Sequence, residues 1–215
     1  VIVRRPAAKR YDREITTFDP MGRLLQVEYS LQAAERGSPV VGFLYKDSVI
    51  VLVGKTVSTN EKGSGKSTGG AAVSPTKVHR LDDHVFLFTS GLAGDALFMA
   101  KVLRESCQRH RMQCGEAPTV AQVARLAAEL HHTLTRTGGA RPLGCSAFVA
   151  GIDGSGGSEG GDLSSLSLFC SHPGGVLEDV LFAAIGRNTE GNMNVLADQV
   201  DAIRYKGRLE AGLSK

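Results

Sequence analysis

The chain has 215 residues, with 25 lysines and arginines against 22 aspartates and glutamates, a formal charge of +3. That balance is too even to argue for nucleic acid as a partner, and 42% apolar residues without any tryptophan describe a globular chain with an aliphatic, alanine-rich core. Nothing approaches the roughly 18 apolar residues of a membrane span, and Cys107, Cys114, Cys145 and Cys170 lack CxxC spacing, so free thiols in a reducing intracellular setting are expected, with no metal and no cofactor.

Residues 1–14 are polar and basic and read as a flexible tail, ahead of one domain over 15–215. Leu24, Val27, Leu31 and Ala34 then recur at helical spacing, predicting a helix from Arg23 to Arg36. Asp19-Pro20 suits the turn before it and Gly37 its C-terminal cap. "PVVGFLYK" and "SVIVLVG" read as a hairpin, and "KVHRL" and "HVFLFTSG" as a second strand pair around Asp82-Asp83.

A helix from about Gly94 to Gln113, stopping at Gly115, comes next. Another opens with Thr119 and Gln122, a capping-box pair, and presents Val120, Val123, Ala127, Leu130 and Leu134 as its buried stripe. "LGCSAFVAGID", "LSLFCSHPG" and "VLFAAIG" are three further strands, and a last helix starts near Thr189. Connections between neighbouring strands are too short for parallel crossovers, so the sheets should be antiparallel. Helices grouped between strand blocks suggest two packed sheets with helices outside. His110, His131 and His132 lack metal-ligand spacing and read as surface or interface histidines.

"EKGSGKST" imitates a phosphate-binding loop but fails on two counts. The motif needs a glycine five residues before Gly65-Lys66, and residue 60 is Asn60. Its strand should run straight into the loop and a helix should follow. Here the strand ends near Gly54, and Gly69, Gly70 and Pro75 oppose a helix. The segments near 58–74 and 154–165 are therefore read as Gly/Ser-rich surface loops, without nucleotide binding.

"YDREITTFDPMGRLLQVEYSLQAAERGS", followed by "TKVHRLDD", "TSGLAGDA" and "TGGARPLGCS", resembles the proteasome α-type subunits over most of the chain from Tyr11 to about Gly186. The resemblance implies an α+β fold: a four-layer αββα sandwich of two antiparallel sheets, the N-terminal-nucleophile hydrolase-like fold. It implies a non-catalytic α-ring subunit of the 20S particle, in the cytoplasm and nucleus. Neighbouring α subunits of a seven-membered ring, β-ring subunits and activators docking by their C-terminal tails are the implied partners.

By the same resemblance Tyr11, Asp12, Pro20 and Tyr29 match a gate cluster that holds the N-terminal tails off the pore. Lys77, with Leu24, Ala33 and Gly37, matches the pocket for activator tails. A cutting subunit of this family uses an N-terminal threonine, whose free amine serves as base. No glycine among the 26 is followed by threonine, and residues 1–36 precede the first strand, so no catalytic residue is expected. The chain departs from the family at "SHPGG", where His172 stands in place of an acid, and after Asn194, where the family usually continues with another helix and final strands: this is either a shortened subunit or part of a longer chain.

Overall fold

The computed structural model describes residues 15–45, 48–54, 77–153 and 166–199. The tail of residues 1–14, the loop near 58–74, the 154–165 loop and the chain after 199 lie outside them.

The element order is α1 (Leu25–Glu35), β1 (Val40–Tyr45), β2 (Ser48–Val53), β3 (Val78–Arg80), β4 (Val85–Gly91), α2 (Ala93–Cys114), α3 (Val120–Arg136), β5 (Cys145–Ile152), β6 (Leu166–Ser171), β7 (Leu177–Asp179) and β8 (Phe182–Ile185). Residues 189–199 form a further helix, α4, where "VLFAAIG" was expected to lead into one. The three-residue β7 had no counterpart in the sequence reading, because two exposed acids at Glu178 and Asp179 hide so short a strand. Among the described residues no helix is long and apolar enough to cross a membrane.

The strands form a three-stranded sheet in the order β2-β1-β8 and a five-stranded sheet in the order β3-β4-β5-β6-β7. Every pairing is antiparallel, as the short connections required. The central strand β5 is buried through Gly151, and its alternating side chains serve two cores. Cys145, Ala147 and Val149 pack with Met99, Leu103 and Cys107 of α2 and with Val120, Val123 and Ala127 of α3. Phe148 and Ala150, on the opposite face, join Leu168 and Cys170 of β6 against Val40, Ala183 and Ile185 of the smaller sheet. Gly42 lets the sheets approach closely, since an added Cβ there would lie 3.3 Å from Leu168. Met193 of α4 reaches this second core. The result is the expected α+β sandwich of two antiparallel sheets with helices outside.

Local signals explain the helices. Thr119 and Gln122 make the reciprocal capping box at the start of α3. Gly115 ends α2 in the left-handed region at φ 77°, a conformation glycine adopts without steric penalty. Arg111 in the last turn of α2 donates from Nη2 to both oxygens of Asp82, at 2.7 and 2.8 Å. This pins the helix end to the β3–β4 turn. Burial disfavours the Asp82 charge, but Arg111 and the Asp83 N–H outweigh it and hold the carboxyl below the usual range.

On α1 the buried residues are Leu25, Ser30 and Ala34, whereas Val27 and Leu31 are half-buried. Two expectations are corrected. Gly37 has no positive φ and so is not a left-handed cap; it is small for another reason, given below. His131 is not a surface residue. It is fully buried on α3, where its Nδ1 lies 2.9 Å from Ser171 Oγ and its Nε2 has no side-chain hydrogen-bond partner among the described residues. The alternation of His131 with apolar neighbours at helical spacing was the signal that the sequence reading passed over.

Candidate functional site

α1 links the two sets of residues singled out in the sequence. Ahead of it the chain folds back on Asp19, whose carboxylate accepts the backbone N–H groups of Met21 (2.9 Å) and Arg23 (2.8 Å). The Arg23 guanidinium adds two bonds, from Nε at 3.1 Å and Nη2 at 3.0 Å. The Arg23 N–H, above all, holds the Asp19 carboxyl below its ordinary range, against a smaller opposing effect of burial. Pro20 is exposed on this loop, and Tyr29 is exposed on α1. Tyr11 and Asp12 lie outside the described residues, so the structure locates two of the four gate-cluster positions.

At the other end of α1 three loops converge on Gly37 and Ser38. Gly37 lies against β4: a Cβ there would be 2.2 Å from Gly91 N and 2.4 Å from Ser90 Oγ. Its N–H donates to Ala34 O at 3.1 Å and its carbonyl accepts the Arg187 N–H at 2.8 Å. Lys77 Nζ donates to the Ser38 carbonyl at 2.9 Å and to Ser38 Oγ by a short bond. Ser90 Oγ donates to the same carbonyl at 2.8 Å. Lys77 is partly buried, and burial lowers its pKa from the ordinary lysine value. The loop ahead of β3, the end of β4 and the β8–α4 turn are thus all tied to the α1–β1 turn.

Lys77 and Gly37 therefore meet through Ser38. Ala33 is close by on α1, 3.1 Å from where a Gly144 Cβ would stand. Leu24 caps the opposite end of α1, about 16 Å away along an eleven-residue helix, and takes no part in the junction. A polar cleft of about 710 Å³, lined by Gln32, Glu35, Arg36, Gly186, Asn188, Thr189 and Glu190, opens beside it. Gly186, at φ 90°, backs onto the Ser38 carbonyl. Sequence reasoning missed Ser38 and Ser90: both lie in the quoted motifs, but Ser38 is 39 positions from Lys77 and nothing local pairs them.

The junction rests on a second ion pair. Asp95, near the start of α2, accepts Arg141 Nη1 on Oδ2 at 2.7 Å and Nη2 on Oδ1 at 2.6 Å. It also accepts the buried Gly144 N–H at 2.8 Å. "TSGLAGDA" and "TGGARPLGCS", distant in the chain, are joined here. Burial raises the Asp95 pKa, but Arg141 and Gly144 together leave it below the usual range. Asp95→Ala is expected to destabilise the chain by about 2–3 kcal/mol, chiefly by orphaning the buried Gly144 N–H. A urea titration would measure this, and a loss below about 0.5 kcal/mol would show that the Asp95 bonds carry no net stability.

A larger cleft, about 1000 Å³, lies at the opposite end of the five-stranded sheet, among Val49, Val51, Phe86, Phe88, Thr119 and Asp153. None of the described gate-cluster or tail-pocket residues lines it.

Comparison with known proteins agrees with this geometry. The N-terminal signature of proteasome A-type subunits matches residues 11–33, and the family described as "Proteasome subunit" matches residues 34–206. The proteasome alpha subunit of Methanococcus vannielii is 34% identical over 194 residues, covering 90% of this chain and 68% of that protein. The proteasome alpha type-7 subunit of Cicer arietinum is 36% identical over 180 residues, covering 84% and 66%. Its namesake in Dictyostelium discoideum is 32% identical over 185 residues, covering 86% and 67%. With the signature spanning the Asp19 loop and α1, and the longer match spanning both sheets, the chain belongs to the proteasome subunit family and is of the α type.

Proposed function

We propose that this chain takes its place in the α ring of a 20S particle, between neighbouring α subunits and against a β ring, and there helps to gate substrate entry and to dock activators. As an α-type subunit it is non-catalytic, and peptide cleavage belongs to the complex. The chemistry agrees. The backbone nitrogen of Ser38 at the start of β1 is a peptide amide joined to Gly37 and α1, and an amide cannot serve as the base that a terminal amine provides. Cytoplasm and nucleus are the proposed compartments.

The gating role is assigned to the tail of residues 1–14 with Tyr11, Asp12, Pro20 and Tyr29. The docking role is assigned to Lys77, with Ala33 and Gly37 around it and Leu24 at the far end of α1. The observation that supports the docking role is a partly buried ammonium held on Ser38 at the end of α1. Such a group suits a terminal carboxylate, a recurring mode of peptide recognition. Lys77→Ala in the assembled particle is expected to weaken an activator tail about tenfold, or about 1.4 kcal/mol, with ring assembly retained on native mass spectrometry. Unchanged tail affinity would remove Lys77 from the docking role.

A further inference from the structure

We propose that the open edge of β2 is a docking site for an extended segment of another polypeptide, apolar at every second residue and basic at one end. The inference stands on this edge alone and not on the docking role of Lys77.

The edge follows from the register. Leu44 N–H donates to Leu181 O at 2.8 Å, on the β8 side of β1, and Gly54 N–H donates to Pro39 O at 2.8 Å, on the β2 side. Backbone groups alternate between the two edges of an antiparallel strand. Val41, Phe43 and Tyr45 therefore turn theirs toward β2, where they face Leu52, Ile50 and Ser48. The N–H and C=O groups of Val49, Val51 and Val53 point the other way, and β2 has no second neighbour among the described strands. The other described edges are shorter. β3 (VHR) and β7 (LED) have three residues each and carry charge, and β8 has four. β2 reads SVIVLV, six residues without charge, proline or glycine. It lacks the features that usually keep an edge from pairing.

The cleft of about 1000 Å³ continues outward from this edge. Among the described residues β2 is the one strand of the smaller sheet that lines it, through Val49 and Val51, and Phe86 and Phe88 of β4 with Ala150 of β5 form its floor. A strand added beside β2 would pair with the outward backbone groups and lay every second side chain over the two phenylalanines, as in strand addition to other sheet edges. Charge selects the occupant. Asp83, Glu116 and Asp153 stand around the cleft, and among the described residues no lysine or arginine lines it. Asp83 also holds Arg80 and Asp153 accepts the Val120 N–H at 2.7 Å, whereas Glu116 is exposed. A second copy of this chain would bring two acidic rims together, while a basic residue beside an apolar stretch meets opposite charge.

The test uses the full chain and a fluorescent octapeptide of alternating valine and threonine with two lysines at one end. Saturable binding is expected. Methylating alternate backbone nitrogens of the peptide should weaken it about tenfold by removing the pairing donors, and glutamates in place of the lysines should weaken it about fivefold. Amide exchange followed by NMR gives the location. Exchange at Val49, Val51 and Val53 should slow about tenfold on binding, while Ile50 and Leu52, already paired with β1, change little. No binding, equal affinity for the methylated peptide, or binding without slowed exchange at these valines would overturn the proposal. Slow exchange there before peptide is added, whether from a second copy or from the chain's own remaining residues, would overturn it too, because the edge would already be taken. Equal affinity for the glutamate peptide would overturn the basic end.

Discussion

Gly91→Ala is expected to cost about 3 kcal/mol or more and to leave little folded chain. Gly91 ends β4 at φ 121°, a conformation that side chains rarely adopt. An added Cβ would lie 2.2 Å from Gly144 O, 2.8 Å from Cys145 Cα and 3.1 Å from Ala34 Cα. The first two are buried backbone atoms at the start of the neighbouring strand β5, and the third belongs to α1. None can yield without moving an element, since close-packed interiors transmit such a displacement rather than absorb it. Gly94, near the start of α2 with open space around its Cβ position, is the control. There alanine should be neutral or stabilising by up to about 1 kcal/mol. Urea midpoints of the two variants decide the matter, and a Gly91→Ala midpoint close to that of Gly94→Ala would mean that α1 does not pack on β4 as closely as described.

Acid should destabilise the chain well above the pH at which carboxylates titrate, and His131 is the main reason. Burial pushes its pKa down to about 4, and the neighbouring His172 acts in the same direction. The folded state therefore favours neutral imidazole, while the unfolded chain takes up its proton near 6.5. The stabilising contribution is fully present above pH 6.5. It is lost as the pH falls from 6.5 to about 4, by about 3 kcal/mol over the whole interval. A hydrogen bond with the Cys145 backbone opposes the shift, but burial outweighs it.

Asp82 and Asp95 work at lower pH. Their folded pKa values lie below normal, so what they contribute is lost only as the pH drops below about 3.9. His79 and His172, also shifted down by burial, add to the slope below pH 6.5, in the same window as His131. His131→Gln should flatten that slope by more than half. The check is unfolding free energy by urea at a series of pH values from 7 to 4, and an unaltered slope in the variant would assign the acid sensitivity elsewhere.

Both effects concern residues whose importance could not be read in one dimension. Gly91 belongs to a quoted motif, yet nothing in "TSGLAGDA" says that Gly144 and Ala34 will crowd it. His131 looks like any polar residue in a helix until the Ser171 end of β6 is laid over it. The same holds for the junction. Lys77 and Gly37 were nominated by resemblance, but Ser38, which joins them, was not.

What the amino-acid order alone determined was local. Among the described residues, local patterns placed four helices and seven of eight strands, the Thr119–Gln122 pair marked one helix start, and Gly115 marked one helix end. The short connections settled that the sheets are antiparallel, and the long signature near the amino end settled the family. These properties depend on steric and hydrogen-bonding rules that act within a few residues, or on an ordered string of letters. Which side chains share a hydrogen bond across dozens of residues was decided only by tertiary packing. Lys77 reaches Ser38, Arg141 reaches Asp95 and His131 reaches Ser171 because two stacked sheets and the helix layers bring those chain ends together. No local pattern encodes a distance that is set by how whole elements stack.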